Sequence, residues 1–396
     1  MTTNGSPGVI IGAGIAGLAT AIFAKEHGLS VALLERSAEI DCDDHLLWIA
    51  PNGLHILERM GLVDEVLKAS VPQEGMIFAT KKLTPLMTLS GDSLRRSCGY
   101  PIVAIRRRDL WQTLERRWRD LGEEIRFGNR VDRIDTTGNM VSIHLEGSDD
   151  PLKAPWVIGA DGMGSKVRAA IAPHSAVRYQ GIRTWLGLSV TPAAERYVGR
   201  TIEAWGKGTR FVLTSMDGRT VHFSALERPS HYESNSAPIP NDTLGRLQRL
   251  FDGYHPDVSA VLRAADPESL VRCNFGVVDG LNDPCRGAVA VVGDAAHGMP
   301  PNMGQGASLG LEDALWVVKT IKYLDDPEAA FRTYGQGRNR RVREMRMLAN
   351  SMNSLFQPQS SLACLARDAL SALIPDRLTA LRMGQLYQPA WPSLPS

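Results

Sequence analysis

The amino-acid sequence predicts an α/β fold: a Rossmann-like dinucleotide-binding core, a mostly antiparallel β-sheet region inserted within it, and helices at the C-terminal end. Three observations predict it. The apolar run Val9 to Ile11 leads into Gly12, Gly14 and Gly17, spaced as GxGxxG. Two later apolar runs end in an acid beside a glycine, at Asp161-Gly162 and at Gly293-Asp294. Between them, residues 171–279 change texture and alternate like strands on either side of Asp217-Gly218.

Each element can be justified in order. Val9 to Ile11 reads as a buried parallel strand. Gly12 permits the tight turn, Gly14 lets the backbone approach a pyrophosphate, and Gly17 lets helix and strand pack closely. Ala16 to Lys25 reads as the helix, whose free N–H groups and dipole suit phosphates. Ser30 to Leu34 reads as the second strand. Glu35 follows it, where a carboxylate for a ribose belongs. This stretch alone does not separate NAD from FAD. In "APWVIGADGMGSKVR" a strand ends at Asp161. In "VAVVGDAAHGMPPNMGQGASLGLEDA" a strand ends at Asp294, and a Gly- and Pro-rich loop leads to a helix from about Ala307. Such a loop can hold a phosphate or a ring oxygen through its N–H groups. Asp294 could instead serve only as a helix cap. His297 reads as a packed or hydrogen-bonded histidine rather than a base.

The middle region carries "RTWLGLSV" and "TRFVLTSMDGRTVHFSALE", read as strands, with Asp217-Gly218 as a two-residue hairpin turn. Thr220, His222 and Ser224 share one face of the second arm, and Val221, Phe223 and Ala225 the other. The segment "SLACLARDALSALIPDRLTALRMGQLYQPAW" reads as apolar-faced helix. Packing is its first reading and a membrane contact the alternative. The arginines 338, 340, 341, 343 and 346 read as a solvated, ion-paired face.

Composition narrows the partners. Of 396 residues, 44 are Lys or Arg and 43 are Asp or Glu, a net charge of +1 that leaves no electrostatic footprint for nucleic acid. Five scattered cysteines form no CxxC pair, so neither a zinc site nor a disulfide framework is expected. A reducing cytoplasm is the expected location. No signal peptide and no transmembrane run of about 18 apolar residues are expected.

The three glycine–acid stretches together resemble the GxGxxG, DG and GD motifs of the class A flavoprotein monooxygenases, the single-component FAD-dependent aromatic hydroxylases. The resemblance runs from Val9 to about Arg346, and "RRRDLWQTL" fits it. It implies FAD as cofactor and NADH or NADPH as transient co-substrate. By resemblance, Gly12, Gly14, Ala16 and Gly17 hold the pyrophosphate. Glu35, with Arg36 beside it, binds the adenosine ribose. Arg107 contacts the FAD, and the backbone of Val131 meets the adenine. The Asp161 motif serves FAD and NAD(P)H together. Asp294 binds the ribityl and pyrophosphate region, Pro301 shapes the pocket, and Gly304, Gly306 and Ala307 sit near the isoalloxazine. The implied division assigns 1–72, 100–170 and 280–346 to FAD, 73–99 and 171–279 to substrate, and 347–396 to a C-terminal helical segment.

The sequence departs from the family where a mobile flavin usually meets glycines. Asp43, Asp44, His45 and Leu46 stand there, and Ser308 replaces a frequent asparagine. His45 is therefore expected near the flavin ring, as a pocket-edge group, a base, or a covalent attachment point. His45 and His222 are the candidate catalytic residues, and Trp48, Trp185, His222 and Met299 the candidate pocket lining. Arg183, Arg210 and Arg219 could hold a substrate carboxylate if one points inward. No metal site is expected. The implied reaction uses O2 and a flavin C4a-hydroperoxide to hydroxylate an aromatic or heteroaromatic small molecule. In total layout the chain looks like the alkylquinolone-type hydroxylases. A flavin epoxidase, a tetracycline-type polycyclic hydroxylase and a non-catalytic FAD-binding redox module are the alternatives. Monomer and homodimer both remain open.

Overall fold

The structure, a computed structural model, describes residues 6–39 and 44–391; Cys42 and Asp43 lie outside the described residues. Gly8–Ile11 pairs in parallel with Val157–Gly159 on one side and Val31–Leu34 on the other. Val289–Val291 extends this sheet in parallel, Ile125–Arg126 closes one edge, and Cys285–Arg286 runs antiparallel at the other. The inner strands are buried on both faces, which is why they read as unbroken apolar runs. Ile10 and Leu33 pack under the helices Ile15–Glu26 and Gly306–Tyr323. Val9, Ile11 and Leu34 face a three-stranded antiparallel layer of Val131–Asp135, Val141–Leu145 and Leu152–Ala154. Glu35, Asp161 and Asp294 each follow the carboxyl end of a parallel strand. They therefore share one edge of the sheet, where ligands bind in open α/β folds.

A second sheet has seven strands in the order Val271–Asp279, Ala176–Val190, Thr220–Glu227, Thr209–Ser215, Arg200–Trp205, Gly75–Thr80 and Pro85–Ser90. Every pair is antiparallel except Arg200–Trp205 with Gly75–Thr80. Its hairpin turns where Asp217-Gly218 was expected, but the loop is longer than two residues. Ser215 is the last residue paired before it and Val221 the first after it. The Asp217 carboxylate accepts the N–H groups of Arg219 and Thr220, and Gly218 supplies φ +71°.

One face of this sheet is sealed. Trp185, Phe211, Leu213, Val221, Phe223 and Ala225 pack under the helices Thr243–Leu250 and Pro256–Arg263. The other face looks toward the parallel sheet through the short layer Leu46–Ile49, Val103–Arg106 and Ser70–Pro72.

The chain ends in helices. Pro327–Phe356 is continuous, so the expected segment boundary at 346/347 falls inside it. Arg338 on this helix is buried against Glu312 and Asp313, which corrects the reading of the arginine cluster as a solvated face. Arg340 alone of that group forms an exposed ion pair, with Glu344. Ser361–Ala372 and Asp376–Leu386 both pack against the edge strand Pro85–Ser90.

Candidate active site

The glycine turn is a cradle that only glycine can make. Gly12 has φ +101°, and a Cβ there would lie 2.5 Å from the Ala160 carbonyl. A Cβ on Gly17 would lie 1.8 Å from the Gly12 carbonyl. At Gly14 a Cβ would meet open space. The helix Ile15–Glu26 starts with no side-chain cap, so its first N–H groups point at that space unsatisfied. Ala16 is not in the open part. Its Cβ packs against Gly293 and Gly310, welding the first motif to the third.

Glu35 is buried beside the turn. Its Oε2 accepts the Ala13 N–H at 2.9 Å and its Oε1 the Ser37 N–H at 3.0 Å. The Glu35 carbonyl also accepts the Asn129 N–H, which brings the segment leading to Val131 alongside. Arg36 and Arg107 are exposed, and the Arg107 N–H donates to the His45 carbonyl. Asp161 turns away from the turn. Its Oδ2 accepts the Lys166 and Val167 N–H groups, its Oδ1 is buried without a partner, and burial pushes its carboxyl up from the usual range.

Asp294 is exposed at the sheet edge and faces the start of the Gly306–Tyr323 helix. A Cβ on Gly306 would come within 3.9 Å of its Oδ1. Gly304 has φ +60° and abuts Trp48, whose Cβ would lie 3.3 Å from an added Cβ. Pro301 is exposed on the short turn Pro301–Met303, and Ala307 is half-buried in the first turn of the helix.

Above this edge lies the inner face of the seven-stranded sheet. Leu186, Leu188, Val212 and Ser224 stay partly exposed there although they sit in central strands. These partly exposed inward side chains make this face the candidate substrate surface. Trp48 donates to Thr201 Oγ1 at 3.1 Å, and Thr201 donates to Gln73 Oε1 at 2.8 Å. Trp48 and Met299 pack on one apolar cluster with Met303 and Leu309. Trp185 does not join them. It points to the sealed face, donating to Glu227 with Arg183, Arg246 and Arg272 stacked around it. The side-chain period of two puts it opposite Leu186, so its assignment to the pocket is corrected.

His45 and His222 lie close enough to influence each other electrostatically. His45 Nε2 donates to the Ser269 carbonyl at 3.1 Å. His222 Nδ1 is buried without a partner. Burial, then the charges of Arg106 and His45, press His222 down to about 4, so its ring is neutral near pH 7. Of the three arginines weighed from the sequence, Arg183 lies on the sealed face and Arg219 is exposed at the hairpin loop. Arg210 alone shares the inner face. It donates to Glu203 and to Asn302, each at 2.9 Å.

Sequence reasoning missed a buried network behind the cradle. Asp313 accepts from His297 Nε2 at 2.6 Å, from the Gly293 N–H at 2.9 Å, and from Arg338 Nε at 2.7 Å. Burial works against its charge, but His297 and Arg338 outweigh burial and hold its carboxyl below the usual range. Glu312 accepts from Arg338 and from Asn52, and Asn52 and Gln305 exchange amide hydrogen bonds. The signal was present as Glu312-Asp313 inside the apolar run "LGLEDALWVV". His297 is thus a hydrogen-bonded interior histidine. Arg168 was missed too; it donates to the Ala295 and Met163 carbonyls and ties the second motif to the third.

A family model described as "FAD binding domain" matches residues 6–349. The chain is 26% identical over 351 residues to the FAD-dependent urate hydroxylase of Klebsiella oxytoca, covering 85% of this chain and 87% of that protein. It is 28% identical over 372 residues to the 2-heptyl-3-hydroxy-4(1H)-quinolone synthase of Pseudomonas aeruginosa, covering 93% and 94%. The structure of Klebsiella pneumoniae HpxO with FAD and uric acid superposes with a TM-score of 0.87 at 23% identity, over 98% of this chain and 97% of that one. The residues present fit an FAD: an open glycine at the turn, uncapped helix N–H groups beside it, a buried carboxylate after the second strand, and an exposed aspartate above the second helix. With the cradle and the family in agreement, the chain belongs to the FAD binding domain family and is an FAD-dependent monooxygenase of class A.

Proposed function

We propose that this enzyme hydroxylates a neutral, lipophilic aromatic or heteroaromatic small molecule, with NADH or NADPH as electron donor and O2 as co-substrate. The observation that carries the reading is the inner face of the seven-stranded sheet. It carries Leu186, Leu188 and Val212, Trp48 reaches the sheet through Thr201, and its inward Arg210 is already balanced by Glu203. A carboxylate-bearing ring would have to break that pair, whereas an apolar ring fills the space at no electrostatic cost. One relative adds support, since it is named for a quinolone, a neutral heteroaromatic ring.

In this reading the bound FAD supplies the redox chemistry, accepting a hydride and activating O2. The chain does the positioning. The uncapped N–H groups at Ile15 hold the pyrophosphate, with Gly12, Gly14 and Gly17 keeping side chains away. Glu35 would accept from the adenosine ribose, the Val131 backbone would meet the adenine, and Arg36 and Arg107 would offer charge at the rim. Asp294 would accept from the ribityl chain. Pro301, Gly304, Gly306 and Ala307 would border the flavin ring. The neutral ring of His222, with Nδ1 unpartnered, accepts a hydrogen bond from a substrate hydroxyl or ring N–H, and His45 stands behind it. Residues 73–99 and 171–279 serve substrate, and 1–72, 100–170 and 280–346 serve FAD. We place the enzyme in the cytoplasm, as a monomer or homodimer. No helix of the described residues is long and apolar enough to cross a membrane.

The test is NADH and NADPH oxidation by the FAD-loaded enzyme against hydroxybenzoates, alkylquinolones and a polycyclic phenol. Strong stimulation by the alkylquinolones, with one oxygen added to the product, is expected. Stimulation by hydroxybenzoates alone would overturn the neutral-substrate reading.

A further inference from the structure

The helix Ser361–Ala372 is inside out. In Ser361–Ala372 the buried side chains are polar: Arg367 donates to the Gly206 and Phe356 carbonyls, and Ser371 is buried near it on the same helix. The outward face carries Leu362, Leu365, Leu370 and Leu373, and Asp376–Leu386 adds Leu378 and Leu381. These six leucines are 54–78% exposed. A helix that serves only its own fold turns its apolar stripe inward. Both helices pack on the edge strand Pro85–Ser90, so both leucine faces look away from the same sheet edge. Clustered exposed leucines on this scale mark a surface that meets something apolar.

The rim says what. Lys81 and Lys82 lie in the loop before the edge strand, Lys207 follows the Gly206 that Arg367 grips, and Arg377 and Arg382 stand on the last helix. All five are exposed, and none is in an ion pair among the described residues. Of the acids on these two helices, Asp368 pairs with Arg367 and Asp376 accepts the Thr88 N–H. A leucine face rimmed by unpaired cations is the pattern of helices lying in the headgroup region of an anionic bilayer. A second copy of the chain would set these cations against their own kind.

We propose that this face docks on an anionic membrane leaflet. This surface lies next to the Arg210 end of the inner face. Leu355 is exposed at the end of its helix, and the next residue, Phe356, stacks on Trp205 at 4.6 Å with the Arg210 guanidinium 5.7 Å over its ring. Entry of substrate from the bilayer rests on the lipophilic reading above; docking itself does not.

The experiment is co-sedimentation of the FAD-loaded enzyme with phosphatidylcholine vesicles, with and without phosphatidylglycerol, at low and high salt. Pelleting with the anionic vesicles is expected, and less of it at high salt. L365D/L373D should lower partitioning about tenfold or more, and K81E/K82E several-fold on anionic vesicles only. Both variants should keep the wild-type flavin spectrum and melting temperature, since these side chains are exposed. Failure of the wild type to pellet, or equal pelleting of L365D/L373D, overturns the proposal. So does a dimer in sedimentation equilibrium that L365D/L373D dissociates without any vesicle binding, which would assign the face to a second copy. None of these outcomes depends on substrate, so turnover with alkylquinolones is tested separately.

Discussion

The cofactor cradle and the substrate sheet are built from different parts of the polypeptide. The cradle is made by backbone. Gly12 and Gly293 take positive φ, Gly17 lets two segments touch, and Glu35 reaches Ala13 within a short stretch of chain. The substrate face is made by side chains that meet across long separations: Trp48 reaches Thr201 over 153 positions, and Arg210 reaches Asn302 over 92. A backbone site is written in local spacing, while a side-chain site is written in strand register. The two should therefore fail differently when mutated.

The largest effect is expected behind the cradle. Arg338→Met removes the cation between two buried carboxylates, Glu312 and Asp313. Breaking a buried ion network from one side costs about 3–5 kcal/mol. The pH dependence carries the sign. In the wild type Asp313 titrates below its unfolded value, so its contribution is present above the carboxylate range and is lost as pH falls through it. In the variant that carboxylate is less well paired. The gap in melting temperature between variant and wild type should be widest near pH 7 and narrow toward pH 4. A gap that does not change with pH would mean that packing, not charge, sets the loss.

Gly12→Val comes next and strikes the cradle itself. The valine would need φ near +101° with its Cβ against the Ala160 carbonyl. Strain and overpacking together cost on the order of 3 kcal/mol. The readout that separates cradle from sheet is the flavin: the purified variant should be colourless while retaining wild-type far-UV circular dichroism at low temperature. A yellow Gly12→Val would show that the turn can relax.

This contrast explains what was legible in the sequence. The parallel strands, the glycine turn, Glu35 and the start of the Gly306–Tyr323 helix could be read because each belongs to a pattern of residue types at fixed spacing along the chain. The two faces of Thr220–Glu227 could also be read, since alternation is local. Which face looks inward could not, and Trp185 went to the wrong side for that reason. One face or the other becomes the pocket only when the strand pairs with Ala176–Val190 and helices cover Phe223. Arg338 was misread because its carboxylate partners lie 25 and 26 positions away on another helix. An arginine-rich stretch looks the same whether one of its members is buried or none is.

His222 gives a smaller, pH-bounded test of the substrate face. Its folded value of about 4 lies below the unfolded value of about 6.5. Above pH 6.5 the ring is neutral in both states and the fold keeps its full stability. As pH falls from 6.5 toward 4 the unfolded chain takes up a proton that the native chain refuses, and stability drops by at most about 3 kcal/mol. His222→Gln should flatten melting temperature against pH over that window. Unchanged steepness would mean that other groups carry the acid sensitivity.

The smallest effect is the one that bears most directly on what the pocket selects. Glu203→Gln keeps a hydrogen-bond acceptor for Arg210 and for the Trp205 indole but removes the charge that balances the guanidinium. Arg210, buried on the inner face, is then left uncompensated, which lowers the melting temperature, and a carboxylate-bearing ring gains a partner worth about 1 kcal/mol or more. The KM for a hydroxybenzoate should fall several-fold, while that for a neutral alkylquinolone stays within about twofold, with melting temperature as a control for the fold. If both KM values move together, the pair shapes the pocket without filtering charge, and selection then rests on the apolar surface of Leu186, Leu188 and Val212. If only the acid improves, the Glu203–Arg210 pair is the element that keeps acidic rings out. The difference between cradle and sheet then becomes a functional one: the cradle's backbone decides whether FAD binds, and one balanced ion pair on the sheet decides which ring the bound flavin meets.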